Sequence, residues 1–241
     1  MNDEERADYA KFVERMNKIC ARAHDLNVPV FVDAEDSWIQ DTIDRMCEVM
    51  MWKYNKESAI VYTTVQMYRW DRLAYLQKLH EKALRDGVKI GVKLVRGAYM
   101  EKERERAKEM QYKDPIQPNK LATDTDYNKA LTFCVENLDV FSICAGSHNE
   151  DSANGLVDLI AEKGLDAKDS RLYFAQLLGM SDHISFNLSS NGYNAAKYVP
   201  YGPVKEVMPY LIRRAQENTS VAGQTGRELS LIKKERKRRK G

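Results

Sequence analysis

The chain has 241 residues, 43% hydrophobic and 31% charged, enough for the core of one large domain or two average ones. With 12 Gly, 6 Pro and 4 Cys it is not collagen-like, low-complexity or disulfide-built. A mean hydropathy of −0.59 without a long apolar run argues against an integral membrane protein. The net charge of +2 is uneven: Lys233 to Lys240 holds seven basic residues and one acidic, or +6, leaving −4 elsewhere and a body unlike a nucleic-acid binder.

Residues 1–27 read as one charged helix whose acidic start is neither a signal nor a transit peptide. Strand and helix signals then alternate. Val28 to Asp33 reads as a buried strand, followed by a helix with Ile39, Ile43, Met46, Cys47 and Met50 at helical spacing. Ala59 to Val65 is short and β-branched, and a helix from Tyr68 to Asp86 stops at Gly87. A third strand, Lys89 to Val95, ends at Arg96-Gly97. A charged helix from Glu101, a proline-marked loop and a helix from about Asp124 to Leu138 come next. Val140 to Ala145, Arg171 to Ala175 and Ala195 to Val199 are the remaining strands. Helices fill the intervals near 150–163 and 181–190, and Pro203 opens the last strongly periodic helix.

Strands alternating with helices imply parallel pairing under crossover helices. No Gly-x-Gly-x-x-Gly follows the first strand and no Walker-type loop occurs, so a doubly wound nucleotide-binding sheet has no support. The alternative is a (β/α)8 barrel, which uses about 250 residues for its eight units. Here only six are visible. The four cysteines show no zinc or C-x-x-C spacing, and Cys20, Cys134 and Cys144 have the apolar neighbours of small buried residues. No metal site is expected.

In a parallel barrel, chemistry sits at the carboxyl ends of the strands. Those ends carry Asp33, Gln66, Lys93 to Tyr99, His148-Asn149, Gln176 and Tyr198. By strand alternation Lys93 and Val95 share one face, and Leu94 and Arg96 the other. Lys93 in so apolar a run needs a partner or a polar ligand, or else it is a snorkelling edge lysine. In the last helix Val204, Val207, Met208, Leu211, Ile212 and Ala215 form an apolar stripe. Tyr210, Arg213, Arg214 and Glu217 gather on the other side, either as solvated charge or as a clamp for a small carboxylate. His148 suits a cofactor or phosphate contact, His80 reads as structural, and His24 and His183 show no partner set.

Seven collinear motifs carry a resemblance. They are Phe31-Val-Asp-Ala-Glu35, Thr64-Val-Gln-Met-Tyr68, Gly91-Val-Lys-Leu-Val-Arg-Gly-Ala-Tyr99, Ala145-Gly-Ser-His-Asn149, Gln176-Leu-Leu-Gly-Met180, Lys197-Tyr-Val-Pro-Tyr-Gly202 and Tyr210-Leu-Ile-Arg-Arg-Ala-Gln-Glu-Asn218. Together they resemble the proline dehydrogenase family over about residues 28–220. The resemblance implies an α/β fold of the (β/α)8 TIM-barrel family that binds FAD. It also implies oxidation of L-proline to Δ1-pyrroline-5-carboxylate, with electrons passed to a quinone. It places Lys93 by the flavin N5 edge. Gln66, Arg96, Lys120, His148 and Asn149 join it as cofactor contacts, while Asp33, Tyr99, Leu178, Tyr198, Arg213, Arg214 and Glu217 line or order the proline pocket. Lys93, Asp33, Arg213 and Arg214 are its catalytic set.

One feature departs from the family: the second-strand lysine that pairs with the aspartate at Asp33 has no counterpart. The first strand here matches the family's third, so the first two βα units are expected to be absent. The expected layout is a helix over 1–27, a partial barrel over 28–222 and a basic tail over 223–241. The missing strands would come from another chain or a homo-oligomer. The alternative is a catalytically silent fragment or partner subunit of a split barrel enzyme. The expected location is cytoplasmic, or peripheral at the inner membrane (the matrix side in a eukaryote). The basic tail fits either a solvated helix end or contact with an anionic surface.

Overall fold

The computed structural model describes residues 2–220 and 224–239, with the side chains of 213, 215–220, 224–228 and 231 outside the description. The chain opens with α1 (Asp3–Asp25), started by a capping box in which Asn2 accepts the Glu5 N–H and Glu5 accepts the Asn2 N–H. Six strands follow: β1 (Val30–Val32), β2 (Val61–Gln66), β3 (Ile90–Val95), β4 (Phe141–Gly146), β5 (Leu172–Leu177) and β6 (Ala195–Tyr198). They pair in sequence order and every pairing is parallel. Between them lie α2 (Ser37–Tyr54), α3 (Arg72–Asp86), α4 (Met100–Glu109), α5 (Lys120–Glu136), α6 (Glu150–Glu162) and α7 (Asp182–Ser190). The chain ends in α8 (Val204–Ser220) and α9 (Gln224–Arg238). The result is a curled half-barrel of six βα units. Among the described residues β1 and β6 each pair on one side only.

Alternation along the strands builds two unlike faces. Val61, Val65, Ile90, Val92, Leu94, Phe141, Ile143, Leu172 and Phe174 turn to the helices and join one buried core with Met46, Met50, Leu76, Leu79, Tyr127 and Leu131. The other face carries Tyr62, Thr64 and Gln66, then Gly91, Lys93 and Val95, then Ser142 and Cys144. Neighbours meet in register as Thr64–Lys93–Cys144–Tyr173. Gly91 belongs here because a Cβ would lie 2.5 Å from the Tyr62 ring, which covers it.

Four expectations change. Strand β1 keeps only Val30–Val32 of Val28 to Asp33 and leaves Phe31 45% exposed, because it pairs on one side only among the described residues. Helix α3 begins at Arg72 and not Tyr68, because Arg69 bridges Ile116. Helix α5 begins at Lys120 and not near Asp124, because the Asn119 side chain accepts the Ala122 N–H at 2.9 Å and starts the helix a turn earlier. The apolar stripe of α8, whose periodicity predicts burial, is uncovered among the described residues: Val204, Met208, Leu211 and Ile212 are 44–75% exposed. The four cysteines are free and buried. No helix among the described residues is long and apolar enough to cross a membrane.

Candidate active site

Lys93 is where the apolar strand β3 turns polar. Its ammonium forms an ion pair with the Asp33 carboxylate just beyond β1 and sits 5.4 Å over the Phe31 ring. Thr64 Oγ1 lies 3.4 Å from the same carboxylate. Lys93 is therefore a paired cation on the concave face, not a snorkelling edge lysine, and its side chain keeps 17% exposure. In the absence of a second-strand lysine, Asp33 takes Lys93 of β3 as its cationic partner.

Gln66, at the end of β2 on the same face, is buried, and its Oε1 has no hydrogen-bond partner among the described residues. A buried carbonyl oxygen without a donor is costly unless a ligand supplies one. Burial pushes the thiol of Cys144, opposite Lys93 on β4, up to about 11 even against the Lys93 charge, which disfavours the thiolate form near pH 7.

Arg96 points away from this cup. Its guanidinium bonds Asp124 (2.6 Å), Ser147 (2.7 Å) and Ser152 (2.9 Å) and stacks 4.3 Å over the Tyr127 ring. Burial opposes charge on Asp124, but Lys120 and Arg96 win and hold it below its ordinary value. Asn149 is the N-cap of α6, accepting the Ser152 N–H at 2.9 Å. Lys120 is the first residue of α5 and bonds Asp124 at 2.5 Å. Arg96 thus ties together the opening turns of two helices whose N-termini favour negative charge.

At the β5–β6 side, the His148 Nδ1 lies 3.1 Å from Ser181 Oγ. Burial, then the charges of Lys197 and Arg214, push the imidazole down to about 4, so it is neutral near pH 7. A ring contact between Tyr198 and Tyr210 brings α8 against the end of β6. The Tyr198 and Tyr210 rings lie 5.5 Å apart, and Arg214 sits 5.4 Å over Tyr210. Leu178, just after β5, is exposed and donates its N–H to the Tyr198 carbonyl. Tyr99 reaches back to Glu35, donating its hydroxyl at 2.9 Å. The side chains of Arg213 and Glu217 lie outside the described residues, though both belong to α8.

The structure thus gathers Asp33, Gln66 and Lys93 in the cup, Tyr198 and Arg214 at its β6 side, and Tyr99 at its β1 side. It puts Arg96, Lys120 and Asn149 behind the rim. Gln176 faces the helices, bonded to Ser185 and to the Ser147 carbonyl. His80 is packed against Phe133 and Phe141, as a structural residue. The sequence reading of His183 is corrected: its Nε2 sits 2.6 Å from Glu150, a partner on another helix that spacing does not reveal. It also missed Lys197, which bonds the Met180 carbonyl (2.7 Å) and Asp182 (2.7 Å) and so fixes the turn after β5.

A parallel α/β half-barrel with charged and aromatic groups at its strand ends is the class that fold and site define. The proline dehydrogenase family model matches residues 2–227, and the chain belongs to that family. It is 41% identical to the mitochondrial proline dehydrogenase 1 of Drosophila melanogaster, covering 96% of this chain and 35% of that one. The human mitochondrial proline dehydrogenase 1 is also 41% identical, over 95% of this chain and 39% of its own. A hydroxyproline dehydrogenase of Xenopus laevis is 38% identical, over 99% and 52%. The chain therefore spans about a third to a half of the length of these curated relatives. Among solved structures, proline utilization A from Bdellovibrio bacteriovorus superposes with a TM-score of 0.81 at 24% identity, over 87% of this chain and 22% of that one. That likeness concerns the fold.

Proposed function

We propose that this chain builds the carboxyl-terminal wall of a flavin-dependent site that oxidises L-proline to Δ1-pyrroline-5-carboxylate and passes the electrons to a quinone. The observation that carries the reading is the cup itself: a buried Gln66 oxygen without a donor among the described residues, on the same face as a Lys93–Asp33 pair at the strand ends. Such a cup fits a planar, hydrogen-bonding heterocycle. FAD, when bound, supplies the acceptor for the hydride that leaves the ring carbon next to the proline nitrogen.

The residues that would hold the cofactor are Gln66 and Lys93 at the ring, with Arg96, Lys120, His148 and Asn149 serving its phosphate and ribose portion. Arg96 and Asn149 act by aiming the α5 and α6 N-termini, which suit a diphosphate without further charge. The Lys93 ammonium favours negative charge developing beside it.

Substrate binding falls to the β6–α8 side. Arg214, with Arg213 from the same helix, pins the proline carboxylate, and Glu217 orders the two guanidinium groups. Tyr198, Tyr99 and Leu178 pack the ring and fix the reacting carbon. Asp33 holds Lys93 in place and offers a carboxylate to the substrate amine, which must be neutral when the hydride leaves. Phe31, 45% exposed on an edge strand that pairs on one side only among the described residues, suits completion of the barrel by further strands.

The test is a visible absorption spectrum of the full chain after incubation with FAD and gel filtration. A retained flavin band that bleaches with L-proline under anaerobic conditions is expected. A chain that stays colourless both alone and mixed with an amino-terminal piece carrying the missing strands overturns the reading and leaves the silent-fragment alternative in its place.

A further inference from the structure

Helix α4 has an odd composition for an element packed on a domain, since eight of its ten residues are charged. What anchors it is a polar ladder to the loop after β1. Residues Tyr99, Lys102, Glu103 and Arg106, at helical spacing, face Glu35 to Trp38. Tyr99 bonds Glu35, Lys102 bonds Asp36 at 2.8 Å, and Arg106 stacks 4.4 Å over the Trp38 ring.

The centre of the ladder is Glu103, which is 0% exposed. Its Oε1 accepts the Ser37 N–H at 2.6 Å and its Oε2 accepts the Ser37 hydroxyl at 2.5 Å. Ser37 is the first residue of α2, and its N-cap, Asp36, makes no side-chain cap bond. An opening N–H that a helix normally caps from within is capped here by a carboxylate of another helix. A fully buried charge is tolerated only with such bonds, and the positive end of α2 adds to them.

The consequence lies four residues upstream. Strand β1 has only three residues and sits at the sheet edge, so it holds Asp33 weakly by itself. The Glu103 anchor at Ser37 fixes the other end of the Asp33–Asp36 loop. We propose that Glu103 is a positioning residue that keeps Asp33 on Lys93 by clamping this loop to α4. The assignment of that ion pair to a proline-oxidising site rests on the preceding section; the clamp does not.

Amine-directed acetylation of the full chain, read by peptide mass, tests it without cofactor, with Lys89 and Lys197 as internal references. Breaking the ion pair by Asp33→Asn should raise Lys93 labelling about tenfold, the effect of losing one charge-assisted bond. Glu103→Ala should raise it to within roughly threefold of that level, with the reference lysines unchanged. Glu103→Gln keeps an acceptor for the Ser37 N–H and a donor for its hydroxyl oxygen, and should restore protection. Unchanged Lys93 labelling in Glu103→Ala overturns the proposal. If Glu103→Ala labels every lysine alike, Glu103→Asp decides, since its shorter carboxylate cannot hold both the Ser37 N–H and hydroxyl: a rise confined to Lys93 supports the clamp, and none refutes it. In flavin-loaded chain, Glu103→Ala should raise the KM for proline while kcat moves less, and Glu103→Gln should recover it. A chain that takes no flavin defeats the function proposed above and leaves the labelling result to judge Glu103.

Discussion

The two faces of the sheet solve opposite problems with the same six strands. Toward the helices, Val92, Leu94, Phe141, Ile143 and Phe174 are almost wholly buried, and even the charges there are paired. Asp44 and Arg72, both 7% exposed, meet at 2.6 Å, with Gln40 and Asp71 completing the set. Toward the cup, Lys93, Asp33, Tyr173 and Tyr198 stay accessible, and the Gln66 Oε1 has no partner among the described residues. The first face supplies stability through its apolar burial, although Thr63 Oγ1, His80 Nε2 and the Tyr127 hydroxyl are also buried without a hydrogen-bond partner among the described residues. The second keeps charged and aromatic groups accessible on an open surface, the pattern expected where packing alone does not decide the residue.

Mutations on the covered face should break the fold, and those in the cup should break the chemistry. The largest effect is expected from Asp44→Ala. It leaves Arg72 charged, buried and short of a partner, at about 3–5 kcal/mol in urea unfolding. Second, Arg214→Met should raise the KM for proline in flavin-loaded chain by the equivalent of about 2–5 kcal/mol while shifting unfolding little. An unchanged KM would remove Arg214 from the carboxylate clamp. Third, Gly91→Ala drives a methyl into the Tyr62 ring and within 2.7 Å of the Val61 carbonyl. A loss of about 1–3 kcal/mol by chemical denaturation would measure how firmly that ring floors the cup.

The contrast also explains what could be read from the amino acids. The alternating elements, the parallel pairing and the opposed faces of Lys93 and Arg96 all follow from strand alternation and composition, which are local. Which cation Asp33 would meet was not local, since Lys93 lies 60 positions away and register alone brings the two together. The same holds for Arg96, whose three partners come from α5, the β4–α6 turn and α6. Glu103 is hidden for another reason. In a run of alternating charges nothing marks the one carboxylate that faces inward. The α8 stripe misleads in the opposite sense, because periodicity reports an apolar face and not what covers it.

The smallest expected effect concerns pH and tests whether the β5–β6 side belongs with the cup or the core. His148 is held neutral by burial, then by Lys197 and Arg214, at about 4 in the folded chain against about 6.5 unfolded. On acidification the unfolded chain therefore takes up this proton first. Stability from this residue is complete above about pH 6.5 and falls as pH drops toward 4, by at most about 1.4 kcal/mol per unit. Thermal melts at pH 7 and pH 5 should separate the parent from His148→Asn, with the variant losing less on acidification. Equal losses would mean that His148 is already solvated and protonated like a surface histidine. The β5–β6 side would then be open to solvent and would not be packed as the core is.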